Sequence, residues 1–185
     1  METFFTNRHG GFSDGDYASW NLATHVGDNQ AVVEENREKL RERVGNIAAM
    51  SQVHGDEVVV VDQLPDEVPV CDALITGNPD LALIVMVADC IPLLLRSESL
   101  VAAVHVGRAG LMNSIALKTV AKMRDLGAIQ ISGTIGPAIC GSCYEVPQEL
   151  HDQVVALHPL ASSRTQIGTP ALDLPKALIA ALTEV

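Results

Sequence analysis

The longest apolar stretch of the chain runs from Leu81 to Ala88, and after Asp89 and Cys90 a second apolar run covers Ile91 to Leu95. A continuous apolar run, unlike an alternating one, predicts a strand that is buried on both faces. Hydrophobic residues make up 48% of the 185 residues, whereas aromatic residues make up only 3%. The sequence therefore predicts one domain with an aliphatic core around a covered sheet.

Shorter patterns predict the remaining elements of a mixed α/β domain. β-Branched or apolar runs predict further strands at Phe4–Thr6, Val58–Val61, Leu100–Val106 and Ile129–Ile135, with a hairpin turn at Arg96–Ser99. Helical spacing and capping residues predict helices over 29–44, 111–126, 148–157 and 175–182. No repeat, linker or low-complexity tract divides the chain, so we expect a single domain over residues 1–185.

The charge balance narrows the class of partner. The formal net charge of −11 argues against a general affinity for nucleic acid, whose phosphates attract Lys and Arg. A local basic pocket on an acidic protein can still bind a small anion. No apolar run reaches the roughly 18 residues of a membrane span, and no basic, apolar leader opens the chain. We therefore expect a cytoplasmic protein that binds neither nucleic acid nor membrane.

Three residues that can bind a metal lie at the borders of predicted strands. His54 precedes the Val58 strand. Cys90 lies where the longest apolar run stops, and His105 is at the close of the predicted hairpin. Two imidazoles and one thiolate suit zinc, and three protein ligands leave a fourth position open for water or substrate, as in catalytic sites. The spacing matches no short metal motif, so hydrogen-bonded histidines and an ordinary core cysteine remain the alternative.

The chain contains four cysteines, at Cys71, Cys90, Cys140 and Cys143. In a reducing cytoplasm they are better explained as ligands, nucleophiles or core residues than as disulfides. Cys140 and Cys143 form a C-x-x-C motif, which can be a redox pair or half of a metal site. A zinc deaminase would also carry H-x-E upstream, whereas His54 is followed by Gly55-Asp56. We therefore interpret the pair as a turn with packed or weakly reactive thiols.

Two charged residues adjoin the candidate ligands. Asp89 precedes Cys90, and it is either a general base, a residue that supports the ligand, or a plain turn aspartate. Arg108 follows Gly107, and it is either an anion contact or an exposed arginine without such a role. The residue types alone leave both alternatives open.

Several motifs, in their order along the chain, form a pattern that a known family shares. They are Thr6-Asn7-Arg8-His9-Gly10-Gly11, Tyr17-Ala18-Ser19-Trp20-Asn21-Leu22, His25-Val26-Gly27-Asp28, Gln52-Val53-His54-Gly55, Ala88-Asp89-Cys90, His105-Val106-Gly107, Ile135-Gly136-Pro137 and Cys143-Tyr144-Glu145-Val146. This set resembles the bacterial YfiH family, long labelled multicopper polyphenol oxidase or laccase-domain proteins. The resemblance extends from about Thr6 to about Leu174.

The resemblance implies a fold, a cofactor and an activity. The implied fold is a layered α/β (α+β) sandwich of mixed β-sheets flanked by helices, with zinc bound by His54, Cys90 and His105. The implied activities are phosphorolysis of purine nucleosides such as adenosine, guanosine and methylthioadenosine, and adenosine deamination, in a monomer or small homo-oligomer. The residues expected to act in catalysis or to bind nucleoside and phosphate, besides the ligands, are Asp89, Arg8, Asn21, Arg37 and Arg108.

The same resemblance carries alternative functions. The older label implies a copper-dependent polyphenol oxidase, which would need several copper sites. The chain has only six histidines, so one redox-silent zinc site explains the residues better. A cysteine hydrolase that uses Cys90 and His105 is a third hypothesis. A metal-binding protein without catalysis is a fourth.

The chain departs from the family pattern at three places, the first of which is a shortened stretch between Gly45 and Ser51. Members usually have His-Ala-Gly-Trp-Arg-Gly where this chain has His105-Val106-Gly107-Arg108-Ala109-Gly110. The Trp is thus absent, and the arginine comes one place earlier. Members also usually carry a further C-terminal segment that helps to close the site, beyond the position of Val185. We therefore expect a domain that lacks this segment and has an altered substrate contact.

Overall fold

A five-stranded mixed sheet lies at the centre of the computed structural model, which describes residues 2–183. The strands are β1 (Asn46–Ala48), β2 (Val58–Val60), β3 (Ala73–Thr76), β4 (Leu81–Leu83), β5 (Ile91–Arg96), β6 (Val101–Val106), β7 (Ser132–Ile135), β8 (Ser162–Arg164) and β9 (Pro170–Leu172). The central sheet has the order β2-β3-β6-β5-β7, in which only β2 and β3 are parallel. Two further sheets are the parallel pair β1-β4 and the antiparallel pair β8-β9.

Five α-helices accompany the sheets in the described part of the chain. They are α1 (Gln30–Val44), α2 (Arg108–Met112), α3 (Ile115–Asp125), α4 (Gln148–Leu157) and α5 (Leu174–Thr183). Short 3-10 turns lie at Gly15–Tyr17 and Pro159–Ala161. Within residues 2–183, no helix has the length and apolar character needed to cross a membrane.

The two faces of the central sheet pack against different layers. Side chains alternate along a strand, so Ile75 and Val104 face one side while Leu74 and Ala103 face the other. The first face packs on apolar side chains of α2, α3 and α5. The second packs on residues of β1 and β4. The result is the layered α/β sandwich of mixed sheets that the resemblance implied.

The elements predicted from local stop and start signals are confirmed. α1 begins after Asn29, whose Oδ1 accepts a hydrogen bond from the Ala31 N–H at 3.0 Å. It ends at Gly45, which adopts a φ of 78°. β5 and β6 form the predicted hairpin, and α4 spans the predicted residues. A capping side chain and a tight turn act over a few residues, so they can be recognised without knowing the tertiary structure.

The prediction of a doubly buried strand over Leu81–Ala88 is wrong. Only Leu81–Leu83 forms a strand, and the rest of the run is irregular, with residues 84–87 half-buried and Ala88 exposed. Met86 is held through both of its backbone groups by the Gln52 side chain, at 2.7 and 2.9 Å. The run lines a cleft of about 640 Å³. Apolar character predicts that a segment is buried, but it does not specify strand pairing. Beyond the three residues that pair with β1, this run has no partner strand in the described part of the chain.

Two other predicted elements are wrong. Phe4–Thr6 forms no strand. The Phe5 ring instead packs against Gly136, so closely that a Cβ added to Gly136 would lie 2.3 Å from the ring. The helix predicted over 111–126 is divided into α2 and α3, because Ser114 adopts a left-handed φ of 64° between them. The strands β1, β3, β8 and β9 are not predicted by any sequence pattern above.

A buried asparagine fixes the polar segment that precedes α1. Asn36 lies on α1 and is fully buried. Its Oδ1 accepts from the Phe12 N–H at 2.8 Å, and its Nδ2 donates to Ser13 Oγ and to the Asn21 carbonyl, both at 2.9 Å. The Trp20 indole N–H donates to the Asn36 carbonyl at 3.1 Å. The segment is therefore docked on the helix by hydrogen bonds more than by apolar packing.

Candidate metal centre

The β5-β6 hairpin places one cysteine and one histidine at the same edge of the central sheet. The strands are antiparallel, with Ile91 opposite Val106. Cys90 directly precedes β5 and Gly107 directly follows β6, so this register brings the two residues together. His105 is the next residue back along β6, opposite Pro92. The candidate ligands Cys90 and His105 therefore converge through strand pairing although they are far apart in sequence.

The neighbouring strands bring two more residues to this edge. β3 pairs antiparallel with β6 so that Ala73 lies opposite Val104, which places Asp72 beside His105. β2 runs parallel to β3, and the loop before β2 carries His54. Four segments thus meet at one end of the sheet.

The side chains of His54, Cys90 and His105 form one compact group, which we call the trio. Their ligand atoms all lie within 4.8 Å of one another. The Cys90 sulfur is 3.9 Å from Nε2 of His54, and the two imidazole rings meet edge to face with centroids 4.7 Å apart. Among residues 2–183 this is the only group of three or more His, Cys, Asp or Glu side chains arranged closely enough for a metal.

The donor set and spacing of the trio fit a zinc ion. Zinc in proteins prefers imidazole nitrogen and thiolate sulfur, and tetrahedral ligands of one ion lie roughly 3.3–3.6 Å apart. The separation of 3.9 Å between the Cys90 sulfur and Nε2 of His54 is a few tenths of an ångström longer, and no pair of ligand atoms is more than 4.8 Å apart. His105 is buried and Cys90 half-buried, whereas His54 is exposed. Solvent or a substrate can therefore reach one side of the group.

Asp72 is the residue that organises the trio, and it is absent from the sequence-based set. Its buried carboxylate accepts a hydrogen bond from Nδ1 of His105 at 2.7 Å. A carboxylate only accepts, so Nδ1 carries the proton and Nε2 is left with a free lone pair. A histidine that is oriented in this way by a carboxylate is a common arrangement in metal sites.

The same carboxylate fixes the loop that carries His54. It accepts three backbone N–H groups, from Val53 at 3.2 Å, His54 at 3.0 Å and Gly55 at 2.7 Å. His54 adopts a φ of 59°, a left-handed conformation that costs a non-glycine residue on the order of 1–3 kcal/mol. Asn113 adds a further hydrogen bond, from Nδ2 to the Gly55 carbonyl at 2.9 Å. The strained loop is thus held in place from two sides.

A glycine keeps the space between the ligands open. A Cβ on Gly107 would lie 2.9 Å from the Cys90 sulfur and 3.1 Å from Cδ2 of His54. Both distances are shorter than a normal van der Waals contact, since non-bonded carbon atoms prefer roughly 3.5–4.0 Å. Any larger residue at this position would push the two ligands aside.

Burial sets the protonation of the site before any metal binds. Desolvation lowers the pKa of His105, and this outweighs the opposing effect of its hydrogen bond to Asp72. Desolvation raises the pKa of the Cys90 thiol, and the charges of Asp89 and Asp72 raise it further. Desolvation also acts to raise the pKa of Asp72, but hydrogen bonds from His105 and from backbone N–H groups outweigh it, so that this pKa is lowered. The site therefore combines a neutral imidazole, a thiol and a carboxylate at neutral pH.

The other predicted site residues have different surroundings. The Asp89 carboxylate makes no hydrogen bond or ion pair within residues 2–183, and only its backbone carbonyl is engaged, by the Ile139 N–H at 2.9 Å. Arg8 and Arg37 each donate through Nε to a carbonyl of the N-terminal segment at 2.8 Å. Arg108 is half-buried and makes no such bond in the described part of the chain. Of the three arginines, Arg108 alone follows a residue that contacts the trio.

The cleft of about 640 Å³ has lining residues on both sides of Cys90 in the sequence but does not contain the trio. Asn21, whose Nδ2 donates to Asp28 Oδ2 at 2.9 Å, lines this cleft together with the Leu81–Ala88 run. Its lining includes Ala88 and Pro92, which lie two residues either side of Cys90 in the sequence, but none of the three candidate ligands. The trio and the apolar cleft are therefore separate features of the fold, and the segment around Cys90 connects them.

The C-x-x-C motif lies outside the trio. Cys140 and Cys143 are in a turn, as the sequence predicted, but they are exposed. The interpretation as packed thiols is therefore wrong. The turn follows Ile139, whose N–H donates to the Asp89 carbonyl at 2.9 Å.

Comparison with known proteins shows clear sequence relatives. The family described as multi-copper polyphenol oxidoreductase laccase matches residues 2–185. A purine nucleoside phosphorylase of Corynebacterium glutamicum is 42% identical over 186 residues, which is 95% of this chain and 76% of that protein. A purine nucleoside phosphorylase of Streptomyces coelicolor is also 42% identical, over 188 residues, which is 96% of this chain and 78% of that protein.

Solved structures show the same fold. A Neisseria meningitidis protein superposes with a TM-score of 0.85 at 33% identity, covering 96% of this chain and 75% of its own. YlmD from Geobacillus stearothermophilus gives a TM-score of 0.84 at 32% identity, with coverage of 96% and 74%. YfiH of Bacillus licheniformis gives 0.83 at 27% identity, again with 96% and 74%. Sequence, fold and the clustering of His54, Cys90 and His105 agree, and the chain belongs to the YfiH family of laccase-domain proteins.

Proposed function

We propose that this chain is a zinc-dependent purine nucleoside phosphorylase that also accepts methylthioadenosine and deaminates adenosine at the same site. The observation that carries the proposal is the convergence of His54, Cys90 and His105 at one edge of the central sheet. It is supported by relatives at 42% identity that are named purine nucleoside phosphorylases. Three protein ligands leave one coordination position for a reacting group, as a catalytic site requires.

Zinc is favoured over copper by the number of sites. Bound zinc supplies Lewis-acid polarisation of an oxygen without any redox step. A multicopper oxidase needs several metal centres, whereas residues 2–183 contain one cluster of suitable side chains. A single set of two imidazoles and one thiolate also suits one copper ion. The experiment below therefore identifies the bound metal as well as the products.

We assign the phosphate contact to Arg108. In phosphorolysis, a phosphate oxygen attacks the anomeric carbon of the ribose and the purine base leaves. The site must therefore hold an anion next to the sugar, and guanidinium groups do this through paired hydrogen bonds. Arg108 directly follows Gly107, against which the ligands pack, and has no partner within the described residues. Arg8 and Arg37 already hold backbone carbonyls through Nε.

The protein groups around the trio have separate roles in this proposal. Asp72 keeps the proton of His105 on Nδ1, so that Nε2 is the ligand atom. In deamination, the Asp89 carboxylate takes a proton from the attacking water and passes it to the departing amine. Its lack of any partner within residues 2–183 leaves it available for this exchange.

A cysteine hydrolase that uses Cys90 and His105 is less well supported. A nucleophilic cysteine needs a lowered pKa, whereas burial raises the pKa of Cys90. The histidine in hydrogen-bonding contact with the sulfur is His54, whose Nε2 lies 3.9 Å from it, whereas His105 makes no such contact with the sulfur in the described part of the chain. A metal ligand has no such requirement, because the metal itself displaces the thiol proton.

The test measures product and metal together. Protein purified without added metal is incubated with inosine or adenosine and phosphate, with and without a chelator, and free base, ribose 1-phosphate and ammonia are quantified. We expect one zinc per chain and metal-dependent release of base.

The variants His105→Ala and Cys90→Ser should lose the bound zinc and the release of base. His158→Ala, outside the trio, should retain the zinc and the activity. Bound copper without zinc, or products that form equally well with the chelator, would overturn the proposal. Bound zinc without any product would indicate a metal-binding protein that is not an enzyme.

The role of Arg108 has a separate test. Arg108→Ala should raise the KM for phosphate by roughly 10–100-fold, as expected for the loss of a charged hydrogen bond of about 1.5–3 kcal/mol. The KM for the nucleoside and the zinc content should change little. Arg96→Ala removes an exposed arginine at the end of β5 and is the matched control. An unchanged phosphate KM in Arg108→Ala would assign the phosphate to another cation.

A further inference from the structure

The pair of thiols in the C-x-x-C turn has a geometry that neither the fold nor the proposed function explains. The sulfur atoms of Cys140 and Cys143 lie 2.7 Å apart, and both residues are exposed. A disulfide bond is about 2.05 Å long, so the sulfurs need to approach by only roughly 0.7 Å more to form one.

The backbone of the turn holds the two sulfurs together. The Cys140 carbonyl accepts hydrogen bonds from the Cys143 N–H at 2.9 Å and from the Tyr144 N–H at 3.2 Å. Gly141 packs against Asp173, where an added Cβ would lie 2.7 Å from the Asp173 Cβ. Only glycine fits at this position, so the turn is fixed against the body of the protein. A preformed turn removes much of the conformational entropy cost of closing the ring.

The turn is anchored on both sides. Before it, the Ile139 N–H donates to the Asp89 carbonyl at 2.9 Å. After it, the Leu172 N–H of β9 donates to the Tyr144 carbonyl at 3.1 Å. These bonds are made by flanking residues and leave both thiols free at the surface. The pair is thus presented to solvent on a rigid support.

We infer that Cys140 and Cys143 form a second reactive site, which exchanges with low-molecular-weight disulfides and closes into an intramolecular disulfide. The Cys140 thiolate attacks one sulfur of the external disulfide, forms a mixed disulfide and expels one thiolate. The Cys143 thiol then loses its proton and attacks the Cys140 sulfur, which expels the second thiolate. Two protein thiols are oxidised to one disulfide, and one external disulfide is reduced to two thiols.

The environment assigns Cys140 as the attacking group. Hydrogen bonds from the Cys143 thiol and from Ser142 lower the pKa of Cys140 to about 7, whereas the same contact raises the pKa of Cys143. A thiol with a pKa near ambient pH is a good attacking group in exchange. Ser142 Oγ lies 3.3 Å from the Cys140 sulfur.

The other two cysteines are poorly suited to this reaction. Cys71 is fully buried, and burial raises its pKa to about 11. Cys90 is half-buried with a raised pKa, and it belongs to the trio. Exchange with a small disulfide should therefore be selective for the C-x-x-C turn. The exchange itself uses none of the side chains to which the proposed function assigns a role.

The experiment exposes the reduced, zinc-loaded full chain to glutathione disulfide at neutral pH. We expect two equivalents of glutathione to be released and peptide mapping to find a Cys140–Cys143 disulfide without an adduct. Cys143→Ser should instead trap one glutathione on Cys140, and Cys140→Ser should react much more slowly. Ser142→Ala should retain the reaction at a reduced rate.

Three outcomes would overturn the inference. The first is glutathione found on Cys90 or Cys71 while the turn remains reduced. The second is no exchange in the folded protein although the unfolded chain reacts. The third is a second zinc ion that is lost in Cys140→Ser and Cys143→Ser, since the pair would then be a metal site. Circular dichroism of each variant confirms that the fold is retained.

Discussion

At the scale of single residues, Asp72 connects two parts of the candidate site through one carboxylate. It orients His105 and also holds the backbone of the loop that carries His54. Asp72→Asn keeps the size but replaces one acceptor oxygen with a donor, which cannot accept from an N–H. We expect zinc affinity to fall by roughly 10–100-fold, the usual effect of losing such a supporting group. Competition with a chromophoric chelator measures this change.

The control for Asp72 is an exposed aspartate. Asp66→Asn makes the same chemical change in a loop residue without described contacts, and it should bind zinc like the wild type. If Asp72→Asn also bound zinc normally, the orientation of His105 would have to be fixed by strand pairing alone.

Gly107 provides a second test at this scale. Gly107→Ala would place a Cβ 2.9 Å from the Cys90 sulfur, closer than packed atoms approach. We expect weaker zinc binding and a loss of stability of about 1–3 kcal/mol, typical of overpacking. Gly77→Ala is the matched control, because its Cβ would have no neighbour closer than 3.4 Å. Zinc titration and urea unfolding of both variants check this, and equal zinc affinity would show that the ligands move aside without cost.

The sequence pattern was enough to predict the three residues of the trio, but not Asp72, which holds them in position. His54, Cys90 and His105 lie at strand ends, and the ends of neighbouring strands meet at one edge of a sheet. Asp72 and Asp89 look alike in sequence, since each is next to a cysteine at the border of an apolar run. Only the pairing of β3 with β6 places Asp72 against His105, and β3 itself was not predicted. A contact that depends on strand order cannot be found from local pattern.

At the scale of elements, local signals and tertiary packing account for different boundaries. The N-cap at Asn29 and the glycine at Gly45 fix α1 from its own sequence. No capping or turn residue recognised in the sequence marks the break at Ser114 or the end of β4. Apolar character alone predicted a buried strand over Leu81–Ala88. Only Leu81–Leu83 pairs with another strand, which is β1.

The docking of the N-terminal segment on α1 can be tested through Asn36. Asn36→Ala leaves the Phe12 N–H and its other partners without this buried side chain. An unsatisfied buried group costs about 1–3 kcal/mol, and we expect a loss of stability in that range. The segment should also become more sensitive to limited proteolysis. Glu35→Ala changes the exposed neighbour on the same helix and should leave both unchanged. A destabilised variant with a still protected segment would mean that Trp20 packing holds it instead.

At the scale of the whole molecule, the two faces of the central sheet have separate cores. The larger cluster lies under α2, α3 and α5, and the smaller one contains Cys71 with Val61 between the sheet and β1-β4. The trio lies at the sheet edge and belongs to neither cluster. Stability and metal binding can therefore be changed independently, provided that the core variants lie far from the edge. Because the smaller cluster contains a buried thiol, we expect the stability of the whole fold to fall as the pH rises in the alkaline range.

Cys71 is fully buried, and its pKa is raised by burial from the ordinary value of 9.0 to about 11. Above the ordinary value the unfolded chain has already released this proton while the folded chain retains it. The unfolded state then binds fewer protons, so stability falls as pH rises from 9 toward 11, by an amount on the order of 2 kcal/mol. Urea unfolding of metal-free protein between about pH 8 and pH 10.5 measures this slope.

Cys71→Ala should be less stable than the wild type at pH 8, but its stability should fall less steeply at alkaline pH. The raised pKa of Cys90 accounts for part of the slope that remains. Val61→Ala makes a cavity in the same cluster without removing a thiol and should keep the wild-type slope. Parallel curves for the wild type and Cys71→Ala would show that the thiol ionises equally in both states.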